Sequence, residues 1–140
     1  MAINCHSFRD VDIVYFDNDL GEEKENRVRN RIATTLSTNR YDVDVKNEAR
    51  VQLWYQAHFG MSIEPYSSTE DAISSWPSNA TAVGVYLDEK QTLQVFAPYG
   101  MNDIYKGIMR PNKQMITKAM YDKKAIKWSK KWPELVVKEW

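Results

Sequence analysis

The apolar and polar positions near the N-terminus predict a buried strand that begins with paired carboxylates. Residues 11–16 are apolar, β-branched or aromatic and show no helical period, which is typical of a buried strand. Asp10 and Asp12 break this pattern at its start. Because residues two apart share a face of a strand, their side chains point the same way, with Cα atoms roughly 6.6 Å apart.

A second alternating segment predicts a strand that could lie beside the first. Residues 41–46 alternate, so that Asp42, Asp44 and Lys46 share one face while tyrosine and two valines share the other. If the two strands are neighbours, Asp44 can approach Asp10 and Asp12. The alternative is that Asp42 and Asp44 face water, with Lys46 pairing either of them.

The remaining pattern predicts helices and one β-hairpin. Helices are expected over residues 20–37 (with a capping pair Asp19 and Glu22), 47–58, 69–76, 101–109 and 113–131. The hairpin is expected over residues 81–87 and 92–96. The predicted core consists of apolar side chains on these elements: Val11, Ile13, Val14, Phe16, Val43, Val45, Val51, Trp54, Val83 and Val85.

Composition narrows the class of protein. The chain has 140 residues and a formal net charge of zero, so we expect a single domain over residues 1–140 without a broad basic footprint for nucleic acid. The single cysteine excludes an intramolecular disulfide and favours a cytoplasmic location. No run of 18 apolar residues occurs, so no membrane partner is expected.

The paired aspartates admit two interpretations. Two carboxylates on one face repel each other, so they either stay solvated at the strand end or hold a cation. Carboxylate oxygens are natural ligands of Mg²⁺, which also keeps waters and substrate phosphates. Arg50 could contact a phosphate or be a surface residue, and no metal-ligand spacing surrounds His58.

The predicted C-terminal helix is basic and is accompanied by tryptophans. Trp128, Trp132 and Trp140 lie among lysines. Aromatic rings beside lysines can stack on nucleic-acid bases. The alternative is that the rings pack beneath the aliphatic stems of the lysines.

Several segments, in order along nearly the whole chain, resemble a bacterial family of uncharacterised nucleotidyltransferase-like proteins. They are residues 10–17 (DVDIVYFD), 45–51 (VKNEARV), 70–72 with Trp76-Pro77, 80–85 (ATAVGV), 95–100 (VFAPYG), 110–112 (RPN) and 131–133 (KWP). The family in turn resembles the head domain of template-independent polymerases such as CCA-adding enzymes.

This resemblance implies an α+β fold, a small mixed β-sheet packed with helices, and a metal-dependent transfer. Asp10, Asp12 and Asp44 match the catalytic carboxylates, which would bind Mg²⁺ or Mn²⁺; two such ions can clamp the attacking and leaving oxygens. Lys46, Asn47 and Arg50 are the expected substrate-binding residues. The implied reaction transfers a nucleotidyl group from a nucleoside triphosphate to an unknown hydroxyl acceptor, which could be a small molecule, RNA or protein.

One departure from the family pattern keeps an alternative open. Relatives carry a helix with a Gly-rich start before the Asp-x-Asp, whereas nine residues without glycine precede Asp10 here. The domain is therefore expected to be N-terminally short, or its true start lies upstream. The alternative function is therefore a degenerate, non-catalytic homologue that binds a nucleotide or a protein. A small antitoxin-like module has no support beyond size.

Overall fold

A computed structural model of the protein describes residues 10–36 and 41–140, which fall into two compact units. One unit lies within residues 10–72 and the other spans residues 73–140. Both combine helices with two-stranded sheets, so the α+β class is confirmed. The strands of the described chain form three separate two-stranded sheets rather than one sheet. In chain order, the first pair is parallel, the second antiparallel and the third parallel. One domain over residues 1–140 stays a prediction.

The first unit is a β-α-β arrangement followed by helices. Its elements are β1 (Asp10–Tyr15), α1 (Glu22–Thr35), β2 (Asp42–Asn47), a 3₁₀ turn (Glu48–Arg50) and α2 (Val51–Phe59), and α3 (Thr69–Ser74) spans the division between the units. β1 and β2 pair in parallel. A parallel pair needs a crossover connection, and here α1 lies in that connection.

The start of α1 differs from the prediction. Its N-cap is Gly21, and no side chain caps it. The Asp19 carboxylate instead accepts the backbone N–H of Gly21 at 3.0 Å, so it stabilises the loop before the helix. The capping pair Asp19–Glu22 is therefore wrong, although three glutamates in the first turn still complement the helix dipole.

The second unit contains the hairpin and the long C-terminal helix. Its elements are β3 (Gly84–Leu87), β4 (Leu93–Phe96), α4 (Asn102–Tyr105), β5 (Ile108–Met109), α5 (Lys118–Lys131) and β6 (Val136–Val137). The antiparallel hairpin is confirmed. The helix predicted over 101–109 ends at Tyr105, because Gly107 takes a positive φ of 61° and β5 follows. Thr117 caps α5, which therefore starts later than position 113.

Burial agrees only partly with the predicted core. Val45 and Val51 are buried in the first unit, whereas Val85 is 66 % exposed. Val85 was assigned wrongly because β3 pairs with β4 alone, and the register sets Val85 opposite Val95 on an exposed face. The other predicted core residues are partly buried: Val11, Ile13, Val14, Phe16, Val43, Trp54 and Val83.

The core of the second unit forms around α5. Its buried members are Met109, Ile116, Tyr121 and Ala125, and partly buried tryptophans pack against them. The Tyr121 hydroxyl lies 3.0 Å from the Met109 carbonyl and 2.7 Å from that of Lys138, so it ties α5 to both strands of the β5–β6 pair.

Candidate functional site

The register of the first sheet brings the predicted carboxylates onto one surface. Asp12 lies opposite Asp44, and Asp10 lies opposite Asp42. In a parallel pair, such partners point to the same side, and each strand repeats this every two residues. The four aspartates therefore share one side of the β1–β2 pair, which we call the acidic face. Asp42, which sequence reasoning did not include in the site, belongs to it.

Lys46 is the basic partner of the acidic face. Its ammonium Nζ lies 2.7 Å from Asp44 Oδ2, and both side chains are nearly half exposed. An exposed pair of this kind contributes little to stability, because water screens it and holding two long side chains costs entropy. Lys46 can therefore leave Asp44 for another anion at little cost.

Glu48 is the least exposed acidic residue near this face. The residue is 4 % exposed, and no hydrogen bond or ion pair to its carboxylate is seen within residues 10–36 and 41–140. Its pKa is raised from 4.5 to about 7, mainly by burial; Lys46 acts to lower the pKa, and the negative charges of Asp12 and Asp44 add to the rise. The Glu48 carboxyl is therefore within electrostatic range of both aspartates. Sequence reasoning used Glu48 only as a helix start, although its even spacing from Asp44 and Lys46 was a signal.

The carboxylates do not converge on a metal-binding arrangement. Across the described part of the chain, no three His, Cys, Asp or Glu side chains are grouped so that they could hold a metal ion. Like charges repel, and Asp44 turns to Lys46. The donor chemistry nevertheless suits a hard cation, because the acidic face offers carboxylate oxygens and the buried Glu48 carboxyl has no hydrogen-bonding partner there.

Asn47 lies on the opposite side of the sheet from Lys46 and connects β2 to the loop after β1. It is 2 % exposed. Its Oδ1 accepts the N–H of Asp17 at 2.9 Å and that of Ala49 at 3.2 Å, and its Nδ2 donates to the Asp17 carbonyl at 2.8 Å. The side chain thus fixes the loop after β1 and caps the 3₁₀ turn. Its predicted contact with substrate stays a prediction, without support from these bonds.

Arg50 is also held within the fold. Its guanidinium forms an ion pair with Glu25 of α1, and its Nε donates to the Leu20 carbonyl at 3.0 Å. Both charged side chains are about nine-tenths buried. Glu25 Oε1 in addition accepts the backbone N–H of Asn47 at 2.9 Å. Of the three residues expected to bind substrate, Lys46 is therefore the one on the acidic face.

Comparison with known proteins shows the family and the fold of the chain. A family model described as a nucleotidyltransferase matches residues 3–137. The chain belongs to this nucleotidyltransferase family. A solved NMR structure that reveals a CCA-adding enzyme head domain is similar to the chain, with a TM-score of 0.73 and 26 % sequence identity. The alignment covers 94 % of this chain and 68 % of that one.

The comparisons confirm the family and the fold and leave finer points open. No curated protein matches the chain. Family membership supports transfer of a nucleotidyl group in general terms, while the metal, the acceptor and the roles of Asp10, Asp12 and Asp44 stay predictions. No helix in the described residues is both long and apolar enough to cross a membrane.

Proposed function

We propose that this chain is a metal-dependent nucleotidyltransferase that moves a nucleotidyl group from a nucleoside triphosphate to a hydroxyl acceptor. The observation that supports this most strongly is the register of the parallel pair. It sets Asp12 beside Asp44 on the acidic face, within electrostatic reach of the buried Glu48 carboxyl. A purely structural strand pair would gain nothing from clustering these charges.

Asp10, Asp12 and Asp44 would hold Mg²⁺ or Mn²⁺ in this proposal. When bound, the metal supplies charge that stabilises the attacking and leaving oxygens of an in-line displacement. The three carboxylates offer oxygen ligands from two neighbouring strands, and the rigid ladder between β1 and β2 keeps the strands in register. Asp42 lies beside Asp10 and contributes further negative charge to the same face.

Lys46 is the residue that we assign to the triphosphate. While no cation is bound, its ammonium neutralises Asp44 at 2.7 Å. A cation that takes the Asp44 carboxylate would free Lys46, whose charge can then pair with phosphate oxygens on the same face. Cation and nucleotide binding should therefore be coupled through this one ion pair.

Transfer is tested by incubating the protein with α-labelled nucleoside triphosphates, Mg²⁺ or Mn²⁺ and a mixed pool of RNA and small hydroxyl acceptors. We expect pyrophosphate release and label transfer that are lost in Asp12→Asn and Asp44→Asn. Asp122→Asn, which makes the same charge change on an exposed helix position, is the matched control and should retain activity. Equal turnover in all three variants would contradict the proposal.

A non-catalytic nucleotide-binding module is the second candidate. It is favoured by the lack of a three-residue metal arrangement in the described residues and by the engagement of Asp44 with Lys46. This candidate predicts that ATP raises the melting temperature in the presence of Mg²⁺ while no pyrophosphate forms. Lys46→Met should abolish that thermal shift, whereas Lys90→Met, at an exposed turn position, should leave it unchanged.

A further inference from the structure

The neutral net charge of the chain conceals a division between its two halves. Residues 4–72 contain 8 lysines and arginines against 13 acidic residues, whereas residues 73–140 contain 11 against 6. The basic excess of the second half is concentrated in α5, where 6 lysines accompany one aspartate. One helix thus carries an electropositive surface that the overall charge does not reveal.

The lysines of α5 form a continuous exposed surface. Lys123, Lys127 and Lys130 recur at the i, i+4 and i+7 spacing of one helix face, and Lys131 lies next to them. All four are exposed, and no ion pair of theirs is seen in the described chain, whereas Lys118 is paired with Asp122 at 2.7 Å. We call Lys123, Lys127, Lys130 and Lys131 the lysine face.

A tryptophan ring borders the lysine face at its C-terminal end. Lys131 Nζ lies 4.8 Å from the Trp132 ring centre, and Lys124 Nζ lies 5.8 Å from that of Trp128. The two rings meet edge to face, with centres 6.2 Å apart. They also line a cavity of about 170 Å³ beside Ile108 and Leu135, within the second unit. Trp128 packs against the core of the second unit, whereas Trp132 is partly exposed and leaves aromatic surface accessible next to Lys131.

Two kinds of polyanion could occupy a basic amphipathic helix: a nucleic acid or an anionic membrane. A helix binds a membrane by inserting its apolar face into the lipid. The apolar face of α5 is already used, because Tyr121 and Ala125 are buried in the core of the second unit. The lysine face and the Trp132 ring remain available, and single-stranded nucleic acids bind by combining phosphate contacts with stacking on aromatic rings.

We propose that the lysine face binds the phosphodiester backbone of a single-stranded nucleic acid, and that a base packs against Trp132 at the C-terminal end of this face. The lysines provide a spaced row of cations for successive phosphates, and the tryptophan-lined cavity offers an apolar surface for a base. Binding at this surface does not require the transfer reaction. That the bound strand is the acceptor rests on the proposed function.

The test measures binding of a fluorescein-labelled 20-nucleotide single-stranded RNA, and of the same sequence as DNA, by anisotropy between 50 and 200 mM salt. The triple variant Lys123→Gln, Lys127→Gln, Lys130→Gln should bind at least about tenfold more weakly and lose about 2 from the salt slope, since each phosphate contact contributes roughly 0.7. A matched triple variant at Lys90, Lys106 and Lys138, with the same charge change in the same unit, should bind like the wild type.

Base contact is tested separately with inorganic polyphosphate, a polyanion without bases. Trp132→Leu should weaken RNA binding about fivefold to tenfold and leave polyphosphate binding unchanged, because stacking on one ring contributes roughly 1–3 kcal/mol per base. Trp132→Phe should restore RNA binding. Thermal melts establish that each variant is folded, and Trp132→Phe provides the aromatic comparison if Trp132→Leu is not.

Three results would overturn the proposal. They are equal RNA affinity in the two triple variants, equal loss of RNA and polyphosphate binding in Trp132→Leu, and binding to phosphatidylserine vesicles that exceeds binding to RNA. Loss of nucleotidyl transfer in Asp12→Asn with unchanged RNA affinity would support two separate functions. Tighter binding of RNA than of DNA would identify the ribose as a further contact. If the transfer assay alone fails, the proposed function is contradicted, and the binding measurements still test the lysine face.

Discussion

The two sides of the β1–β2 pair differ in whether their polar and charged groups are paired within the fold. On the packed side, Asn47 makes hydrogen bonds to the loop after β1, and the buried Glu25 and Arg50 neutralise each other. On the acidic face, four aspartates stand side by side, and in the described residues Lys46 forms an ion pair with one of them, Asp44. One side satisfies its polar groups within the fold, and the other leaves negative charge in excess.

This difference separates scaffold from candidate chemistry. Charges that support a fold are paired, because an unpaired buried charge costs several kcal/mol. Charges that act on a ligand must stay available, so they persist where they repel one another. Arg50 belongs to the first kind by its ion pair with Glu25, and the neutral Asn47 is likewise bonded within the fold. Asp12 and Glu48 have no ion pair in the described residues, and Asp44 has only its exposed pair with Lys46.

The largest expected effect concerns the packed side. Arg50→Met should lower the free energy of unfolding by about 3–5 kcal/mol, because it leaves the Glu25 carboxylate buried without its partner. The double variant Glu25→Gln, Arg50→Met should recover much of this loss, since the amide still accepts the Asn47 N–H without an unpaired charge. Urea unfolding of the wild type, the single variant and the double variant measures the loss and its recovery. A loss below about 1 kcal/mol in Arg50→Met would mean that the pair does not hold the packed side together.

Glu48→Gln tests the acidic face through pH. The raised pKa of about 7 in the folded protein, against 4.5 in the unfolded chain, means that folding favours the protonated carboxyl. The stability that Glu48 contributes is therefore present below pH 4.5 and is lost as the pH rises through 7. The glutamine variant should be about 2–3 kcal/mol more stable than the wild type at pH 8.5, and the difference should vanish near pH 4.

Urea unfolding of wild type and Glu48→Gln across this pH range provides the measurement. Glu23→Gln is the control, because Glu23 is exposed in the first turn of α1 and should give a small, pH-independent change. A constant difference between wild type and Glu48→Gln from pH 4 to 8.5 would exclude a buried, titrating Glu48.

Asn47→Ala should have a somewhat smaller effect. Removing the side chain leaves the N–H and carbonyl of Asp17 without their partners, which should cost about 2 kcal/mol. Asn30→Ala, at an exposed position of α1, is the matched control and should change stability by less than about 0.5 kcal/mol. If Asn47→Ala were as stable as the control but raised the KM for nucleotide, Asn47 would be a substrate contact rather than a scaffold residue.

Asp12→Asn should have the smallest effect on stability in the absence of metal. Removing one of several repelling charges should raise the melting temperature slightly, by about 1–3 °C. The stabilisation by Mg²⁺ or Mn²⁺, which follows RT ln(1 + [L]/Kd), should shrink at the same time. Paired thermal melts across a metal series, with Asp122→Asn as control, measure both changes. Identical metal responses in wild type and Asp12→Asn would remove the metal site from the acidic face.

Local periodicity alone determined the strands and the shared direction of their aspartates. Side chains alternate along any extended backbone, so Asp10 and Asp12, or Asp42 and Asp44, share a side wherever the strand packs. By the same alternation, the neighbouring residues Lys46 and Asn47 point to opposite sides of the sheet. The resemblance of the ordered motifs to a nucleotidyltransferase family, including residues 10–17, was likewise readable from the chain and is confirmed.

Tertiary structure decided which side chains are committed to the fold. Asn47 and Arg50 were expected to bind substrate from the family resemblance, yet the Asn47 side chain bonds to Asp17, 30 residues earlier, and Arg50 pairs with Glu25, 25 residues earlier on α1. The burial of Glu48 and the exposure of Val85 also depend on which elements cover them. Alternation and capping follow from backbone geometry within a few residues, whereas partners and burial follow from packing between distant segments, so they emerged only with the fold.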